Sequence, residues 1–418
     1  MKKNKAHVAS TIGPCHSAGI TAPLAFQVMI QPAGATCNLH CRYCYYLAKE
    51  ALYPGSDFRM APELLERFTQ QFIAAQKVPQ VTFAWQGGEP TLLGLDFFKQ
   101  ALEFQQKYQK NGLQIINTLQ TNGTLLDDEW CRFFKEHDFL IGISIDGPEK
   151  LHDVYRQDKR GNPTFQSVQK GVAYLKKHEV DFNTLTTLHF SNADYPEEVY
   201  RFLKDDVGAK FIQFIPIVER KNCASFPKGQ SVTERSITAA QFGNFLNRVF
   251  DCWVKADVGR VFVQYFDVAL ALWAGMQPGL CSFAQTCGAA LALEHNGDLY
   301  SCDHFVEPRY KLGNIQEKTL LQLVGSLKQY RFGQDKRDQL PRYCQKCPFL
   351  FACFGGCPKD RFINTPHGEP GLNYLCAGYQ TFFRHIQKPM QIMVNLLKER
   401  RPPADIMYLL ANESRCDC

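Results

Sequence analysis

Three cysteines stand within one short segment near the start of this chain. Residues 37–44 read CNLHCRYC, which gives the spacing CxxxCxxC and places Tyr43 between the second and third thiols. Cysteine thiolates hold iron–sulfur clusters, and a [4Fe–4S] cluster has four irons to ligate. Three thiolates in one loop therefore leave one iron without a protein ligand. Because open coordination positions on metals are where chemistry takes place, the segment predicts a reactive cluster and a loop built around it.

A partial zinc site is the alternative interpretation of this loop. Zinc sites usually combine two CxxC-type pairs, or cysteine and histidine pairs, to give four ligands. His40 could serve as a fourth ligand, but its place between Cys37 and Cys41 leaves little room to close a tetrahedron. The cluster interpretation is therefore favoured.

The composition predicts a globular protein with a large core. The chain has 418 residues, of which 45% are hydrophobic, and this suits a barrel followed by a second module. The net charge of +6, from 47 basic and 41 acidic residues, is mild and does not indicate nucleic acid as a partner. No membrane is expected as a partner either, because no apolar run reaches the roughly 18 residues that a spanning helix needs.

The N-terminus and the cysteine count together favour a cytoplasmic protein. Residues 1–5 read MKKNK and resemble the start of a signal peptide, but residues 6–20 are mixed and polar, without an apolar core. The chain has 17 cysteines, and thiols in a reducing compartment are not expected to form disulfides. An odd number in spaced groups indicates metal ligands and a few core thiols.

Strand and helix patterns alternate along the first half of the chain. This alternation predicts a parallel sheet, and six units suit an open, partial (β/α)6 barrel. Polar and glycine-rich residues follow each strand, so the cysteine loop and these tips should converge on the carboxyl edge of the sheet. We expect strands at 25–31, 81–85, 115–119, 140–145, 182–188 and 210–217, and helices at 62–76, 95–109, 127–137, 165–178 and 195–204.

The later part of the chain changes in character. Residues 221–233 read as a polar loop, a helix is expected at 238–256, and the sequence becomes rich in cysteine and glycine from Cys281 onward. The predicted domains are a tail at 1–23, the barrel at 24–225, a connecting helical segment at 226–275, a cysteine-rich module with short β and helical elements at 276–385, and a C-terminal helix with a loose tail at 386–418.

The cysteine-rich module carries enough thiols for two complete four-cysteine sites. A zinc ribbon made from the four cysteines between 344 and 357 is the alternative, but the three-cysteine loop earlier in the chain favours iron–sulfur clusters here too. The eight thiols are Cys281, Cys287, Cys302, Cys344, Cys347, Cys353, Cys357 and Cys376.

These motifs resemble those of a known group of enzymes. The first loop is similar to the cluster loop of radical S-adenosylmethionine (SAM) enzymes, and the later array is similar to their SPASM extension. Within that group, the chain resembles the anaerobic sulfatase-maturating enzymes over about residues 24–385. The segments that carry the resemblance are residues 37–46, 85–91, 119–124, 142–148, 211–214 and 302–304.

The resemblance implies three [4Fe–4S] clusters and SAM as cofactors. Cys37, Cys41 and Cys44 would hold the cluster whose free iron binds the amino and carboxylate groups of SAM. Reductive cleavage of SAM then gives a 5′-deoxyadenosyl radical, which takes a hydrogen atom from the substrate. The eight later cysteines would hold two auxiliary clusters, one on Cys281, Cys287, Cys302 and Cys357 and the other on Cys344, Cys347, Cys353 and Cys376.

The same resemblance implies a reaction and a general base. Family members convert a cysteine or serine of a sulfatase to Cα-formylglycine, which requires loss of a hydrogen atom, an electron and a proton. Asp303, next to Cys302, matches the base, although an aspartate here could also be an ordinary turn residue. The implied SAM contacts are Tyr43, Gly88, Glu89, Ser144, Arg156 and Val218, the last at a position where the family pattern has leucine.

The implied partners are an unfolded sulfatase polypeptide with a C/S-x-P/A-x-R motif and an electron donor such as flavodoxin or ferredoxin. Two other functions stay open on the sequence: a radical SAM maturase that crosslinks a ribosomal peptide, and a non-catalytic iron–sulfur carrier or regulator. The Cys302–Asp303 pair and the short segment before residue 24 speak against the first, and the open iron speaks against the second.

Several further residues are placed by the sequence without a firm role. Gln86, Asn122 and Asp146 follow strands and are candidates to line the cavity, whereas His40, His295 and His304 are assigned to packing or the surface. Core packing is predicted for Cys131 and Cys252, and no role is assigned to Cys15, Cys223, Cys416 and Cys418.

Overall fold

The computed structural model describes residue 23, residues 25–221 and residues 231–416. The predicted N-terminal tail lies outside the described residues, apart from residue 23. Cys15, Cys223, Cys418 and the side chain of Cys416 also lie outside them.

The six predicted strands of the first half are all present, together with one in the connecting segment and five in the cysteine-rich module. Their ends agree with the sequence patterns to within two residues, and the largest differences are at the start of β1 and the end of β3. The strands are β1 (Gln27–Gln31), β2 (Gln80–Trp85), β3 (Gln114–Thr121), β4 (Leu140–Ser144), β5 (Phe182–Leu188), β6 (Phe211–Pro216), β7 (Phe262–Val263), β8 (Ala290–Glu294), β9 (Asp298–Tyr300), β10 (Lys311–Asn314), β11 (Arg361–Asn364) and β12 (Pro370–Asn373).

Ten strands of the described chain form one sheet, in the order β10-β9-β8-β1-β2-β3-β4-β5-β6-β7. Strands β1 to β6 follow one another in parallel, which confirms the predicted α/β class with six parallel strands. Strand β8 pairs in parallel with β1, and β9 and β10 extend the edge as an antiparallel meander. The cysteine-rich module therefore shares a sheet with the barrel. Because this sheet runs across the expected boundary between them, the domain limits given above stay predictions.

The helices predicted in the first half are present, and later ones extend the prediction. Helix α8 lies within the predicted connecting helical segment, although the sequence analysis gives it no bounds of its own. Helix α14 occupies part of the segment that the sequence predicts as a loose tail, and its Ile406 is fully buried against the core. The helices are α1 (Pro62–Ala75), α2 (Leu95–Tyr108), α3 (Asp128–Glu136), α4 (Glu149–His152), α5 (Phe165–Lys177), α6 (Pro196–Arg201), α7 (Ala239–Ala256), α8 (Gln264–Trp273), α9 (Leu320–Val324), α10 (Leu327–Asp338), α11 (Arg342–Gln345), α12 (Leu350–Cys353), α13 (Cys376–Lys398) and α14 (Ile406–Cys416).

An aromatic layer holds α1 and α2 against the sheet. Phe68 and Phe72 lie one turn apart on α1 and stack with ring centroids 5.2 Å apart, and Phe83 of β2 meets Phe72 edge-on at 5.2 Å. Trp85 closes the layer against Phe98 of α2. All five rings are buried, and burial of each such side chain contributes about 1.5–3 kcal/mol, so this layer fixes where β2 ends and its polar tip begins.

The parallel pairing puts the carboxyl ends of β1 to β5 at one edge of the sheet. Polar residues stand there directly after the strands: Gln86 after β2, Asn122 after β3, Asp146 near the end of β4 and His189 after β5. Parallel α/β folds build their sites at this edge, because the loops that leave the strands meet there. The cysteine loop leaves β1 at the same edge.

Candidate active site and cysteine clusters

The cysteine loop turns immediately after β1 and is held by short backbone hydrogen bonds. Gly34 N–H donates to the carbonyl of Gln31 at 3.1 Å, and Cys44 N–H donates to the carbonyl of Cys41 at 2.9 Å. Leu39 N–H points at the Cys37 sulfur at 3.3 Å. A backbone N–H aimed at a thiolate sulfur helps to offset its negative charge, so the loop is shaped to keep its thiols charged when a cation is present.

The three thiols of this loop lie within electrostatic range of one another and form no disulfide. Burial raises the pKa of Cys37 and of Cys41 to about 11, and it raises the pKa of Cys44 as well. Such thiols become thiolates only when a metal supplies compensating positive charge. An all-thiol donor set of this kind fits a cluster, whereas His40, the fourth ligand of the zinc alternative, is exposed.

Among the described residues, no group of three or more His, Cys, Asp or Glu side chains is arranged to hold a metal ion. The cluster hypothesis for this loop therefore rests on the proximity of the thiols and on their donor chemistry.

Gly88 lets the segment after β2 approach the cysteine loop closely. Its φ is +51°, and a Cβ there would lie 2.1 Å from the carbonyl oxygen of Thr36. The next residue, Glu89, donates its N–H to that same oxygen at 2.8 Å. Only glycine fits this approach, because the position needs both a left-handed backbone and an absent side chain.

The carboxylate of Glu89 is fully engaged with protein donors. One oxygen accepts from Thr91 N–H at 3.1 Å and from the hydroxyls of Thr91 and Thr121 at 2.7 Å, and the other accepts from Asn122 N–H at 2.8 Å. Glu89 thus ties the tips of β2 and β3 together. The amide of Asn122 extends the connection to the Cys37 sulfur at 3.7 Å. A contact between Glu89 and SAM stays a prediction.

Two residues predicted to contact SAM, Tyr43 and Arg156, meet at Asp146, a cavity candidate just after β4. Arg156 donates to both carboxylate oxygens of Asp146, and the hydroxyl of Tyr43 donates to one of them. The Arg156 guanidinium also lies over the Tyr43 ring, with 5.6 Å from Cζ to the ring centroid. Ser144 accepts from the amide of Gln120 at 3.0 Å. The structure therefore brings Tyr43, Asp146 and Arg156 together beside the cysteine loop.

His189 is a further residue of this group that the sequence analysis missed. Its ring stacks near that of Tyr43, with centroids 6.1 Å apart, and meets Tyr155 edge-on at 4.7 Å. The side chain is fully buried, and neither ring nitrogen has a hydrogen-bond partner within the described part of the chain. The sequence signal that could have identified His189 is its place directly after β5. Val218, by contrast, is buried in the main apolar cluster.

The first predicted auxiliary group is drawn together from widely separated parts of the chain. Cys281 acts electrostatically on Cys287, Cys287 acts on Cys357, and Cys357 acts on Cys302. Burial raises the pKa of each of these thiols. The ammonium of Lys336 donates to the carbonyls around Cys281 and so places a positive charge beside the group.

The second predicted auxiliary group lines a single cavity. Cys344, Cys347, Cys353 and Cys376 face this cavity together, between α11, α12 and the start of α13. Burial raises the pKa of Cys353 and of Cys376 to about 12. Four thiols that line one cavity supply the donor set of a four-cysteine cluster or zinc site. The rest of the lining is largely apolar: Tyr343, Phe349, Leu350, Gly355, Leu372, Asn373, Tyr379, Gln380 and Phe383.

Asp303 lies where the two modules meet. It begins a short 3-10 turn, Asp303–Phe305, directly after Cys302, whose thiol lies 3.3 Å from one Asp303 oxygen. The hydroxyl of Tyr45, which directly follows Cys44 of the first cysteine loop, donates to the other oxygen at 3.2 Å. Burial acts to raise the pKa of Asp303, but His304 and Lys49 outweigh it and hold that pKa below its ordinary value. The Asp303 carboxyl is therefore ionised near neutral pH.

The remaining candidates are placed by packing. Cys131 is fully buried on α3, as predicted, and Cys252 is half-buried on α7 against the core. His295 accepts from or donates to the Ser56 hydroxyl at 2.6 Å, and His304 is half-buried with Nδ1 4.0 Å from Asp303. The described helices include none that is long and apolar enough to span a bilayer.

Comparison with known proteins agrees with this arrangement. The model of the radical SAM superfamily matches residues 32–203, and the model of the SPASM iron–sulfur cluster-binding domain matches residues 281–348. A serine-type anaerobic sulfatase-maturating enzyme from Bacteroides thetaiotaomicron is 48% identical over 405 residues, which cover 94% of this chain and 97% of the relative.

Two further similarities extend the comparison. A cysteine-type anaerobic sulfatase-maturating enzyme from Clostridium perfringens is 33% identical, over 86% of this chain and 95% of the relative. The solved structure described as native anSMEcpe with bound AdoMet and Cp18Cys peptide is 33% identical, has a TM-score of 0.78, and is matched over 89% of this chain and 99% of its own.

Proposed function

This chain belongs to the anaerobic sulfatase-maturating enzymes, which are radical SAM oxidoreductases, and on that premise we propose that it oxidises a cysteine or serine side chain of a sulfatase polypeptide to Cα-formylglycine. The observation that carries the proposal is the position of Asp303. Its carboxylate accepts a hydrogen bond from Tyr45 in the loop of the radical cluster, and Asp303 directly follows Cys302 of the first auxiliary group in the chain. A base at this position lies beside both the loop of the radical cluster and the first auxiliary group.

The clusters and SAM would be held by the residues described above. Cys37, Cys41 and Cys44 would hold the cluster that binds SAM, and Tyr43, Gly88, Glu89, Ser144, Arg156 and Val218 would surround SAM itself. When bound, this cluster and SAM supply a 5′-deoxyadenosyl radical that abstracts a hydrogen atom. Eight further thiols would hold two auxiliary clusters, which supply electron transfer. The three sets of cysteines would thus hold three clusters in all.

Asp303 would carry the proton step of the oxidation. After the substrate Cβ has lost a hydrogen atom, one electron and one proton must leave to give a thioaldehyde from cysteine or an aldehyde from serine. Asp303 would take this proton as a general base. The thioaldehyde then reacts with water to give the aldehyde and hydrogen sulfide. Because the carboxylate is ionised and partly shielded by Tyr45, it can accept the proton without first losing one of its own.

The substrate would be an extended or unfolded sulfatase segment with a C/S-x-P/A-x-R motif. The serine-type relative is the more similar of the two curated relatives, so a serine peptide is the first substrate to test. A flavodoxin or ferredoxin would supply the electron, and the free thiols suit a reducing cytoplasm. Identity along nearly the whole chain favours this function over peptide crosslinking, and membership in an enzyme family rules out a purely non-catalytic carrier.

The test is made on anaerobically reconstituted full-length protein. It is supplied with SAM, a reductant and matched peptides that contain SxPxR or CxPxR, and the products are read by mass spectrometry. We expect formylglycine from at least one peptide. The Asp303→Asn variant should lose about 10²- to 10⁴-fold in its rate, the usual contribution of a positioned base, while it still cleaves SAM.

Asp96→Asn is the matched control, because Asp96 lies exposed on α2 and should leave the rate unchanged. SAM cleavage with both peptides intact would contradict the proposed function and would favour a different peptide substrate.

A further inference from the structure

One lysine of this chain is buried at the seam where the cysteine loop meets the segment that carries Asp303. Lys49 belongs to the short 3-10 helix Leu47–Leu52, which follows Cys44, and only 7% of its surface is exposed. Removing an ammonium group from water is costly unless nearby groups compensate for it. A lysine that is buried in this way must therefore be held by specific contacts.

Those contacts lead directly to Asp303. The ammonium of Lys49 donates to the backbone carbonyl of Asp303 at 3.3 Å and to the side-chain oxygen of Gln31 at 3.4 Å. It also lies over two aromatic rings, 4.3 Å from the centroid of Tyr46 and 5.1 Å from that of Tyr45. Tyr45 is the residue whose hydroxyl holds the Asp303 carboxylate. Lys49 thus reaches Asp303 by two routes, one through the backbone and one through Tyr45.

Nearby acidic groups partly offset the cost of burying the Lys49 ammonium. Glu294, on β8, is 1% exposed and stands opposite Gln31 in the pairing of β8 with β1. Glu294 and Asp303 both act electrostatically on the ammonium, and Cys302 and Cys44 do so more weakly. One cation is therefore within electrostatic range of a thiol of the first cysteine loop and of a thiol of the first auxiliary group.

We propose that Lys49 is a positioning residue for Asp303, and that it keeps the Asp303 carboxylate facing the space between the cysteine loop and the first auxiliary group. The proposal rests on the proposed function for the role of Asp303. A base works only within hydrogen-bond reach of the proton that it removes, and a displacement of about 1 Å can cost about 10²-fold in rate. Loss of Lys49 frees the turn at Asp303 and loosens Tyr45 together.

Lys49→Met tests the proposal, because methionine keeps most of the length and apolar stem without the charge. We expect kcat for formylglycine formation to fall about 10- to 100-fold, with KM for the peptide within about twofold. SAM cleavage without peptide should be unchanged. Lys49→Arg should restore most of kcat. Lys99→Met, at an exposed site on α2, is the control and should match the parent enzyme.

A double variant decides whether Lys49 acts through Asp303. If it does, Lys49→Met should change the residual rate of Asp303→Asn by no more than about twofold, because the group that Lys49 positions is already disabled. A full additive loss in the double variant would overturn the proposal. So would an unchanged kcat in Lys49→Met, or a rise in peptide KM alone, which would make Lys49 a substrate-binding residue.

A structural measurement separates this inference from the proposed function. In crystals of anaerobically loaded Lys49→Met, we expect the Tyr45–Asp303 hydrogen bond to be broken and the turn at Asp303–Phe305 to be displaced. If that bond stays intact, the inference is wrong even where the parent enzyme makes formylglycine. If the parent enzyme makes no formylglycine, the proposed function is wrong. The crystal structure of Lys49→Met still shows whether Lys49 maintains the Tyr45–Asp303 hydrogen bond. Should Lys49→Met not load iron, Lys49→Gln carries the same comparison.

Discussion

The side chains of Arg156 and Asp146 form a buried ion pair with two contacts, 2.8 Å from Nε to Oδ2 and 3.1 Å from Nη2 to Oδ1. The backbone N–H of Thr187 also donates to Asp146 at 2.9 Å, and Tyr43 contributes its hydroxyl. Asp146 therefore fixes two of the residues predicted to contact SAM. A planar guanidinium with both contacts made is held in one orientation. Nη2 also donates to the Thr187 hydroxyl at 3.3 Å, so Nη1 is the part of the group that could meet a ligand.

Replacement of Asp146 by asparagine should destabilise the protein and weaken SAM binding. Breaking a buried pair by removal of one partner costs about 3–5 kcal/mol, because the other charge stays buried without compensation. We expect a lower unfolding temperature of the loaded enzyme and a higher Kd for SAM by equilibrium binding. Asp96→Asn, at an exposed site, should change neither. An unchanged Kd would show that Arg156 does not need Asp146 for its orientation.

Replacement of Cys376 by alanine should remove one cluster and leave the others in place. Cys376 faces the same cavity as Cys344, Cys347 and Cys353, so its loss breaks a complete four-thiol set. Iron content should fall by about four atoms per chain, while SAM cleavage at the first cluster persists. Cys131→Ala is the control, since Cys131 is buried on α3 away from these groups and should keep its iron. Equal iron in both variants would contradict a cluster in this cavity.

Replacement of Gly88 by alanine should disturb the cysteine loop. The new Cβ would lie 2.1 Å from the Thr36 carbonyl oxygen, so the backbone on one side must move. Gly94→Ala is a matched control, because Gly94 also has a positive φ, +79°, but no atom lies within 4 Å of its added Cβ. Both variants carry left-handed strain, and only Gly88→Ala should lose iron from the first cluster and SAM cleavage with it. Similar losses in the two would point to strain alone.

The dependence of folding stability on pH should show the effect of burying the Asp267 carboxyl. This residue lies on α8, and burial raises its pKa to about 7, well above the value of an unfolded chain. Between the two values the folded state binds the extra proton, so stability falls as pH rises from about 4 to about 7. Asp267→Asn should therefore unfold at a higher temperature than the parent at pH 8, with a gap that shrinks at pH 5. If the difference in unfolding temperature between Asp267→Asn and the parent is the same at both pH values, burial does not raise the pKa of Asp267.

The sequence predicted the parallel strands, the cysteine loop and the polar residues at the strand ends. These features are local: alternation of apolar residues marks a strand, and the thiols of residues 37–44 are kept close by eight residues of chain. Cys131 was assigned to the core for the same reason, because it lies on the apolar face of a helix. No bounds were predicted for helix α8, since ten residues with apolar side chains on most faces give a weak helical period.

Which distant groups meet was decided by the tertiary structure. The pairing of β8 with β1 brings Glu294 beside Gln31 and buries Lys49 against Asp303, 254 positions further along the chain. The same folding makes Asp146 the partner of Arg156 and gathers Cys376 with Cys344 around one cavity. Local patterns specify the period of a strand or the spacing of a loop. Contacts between remote residues depend on the packing of the whole sheet, and no short stretch of sequence records that packing.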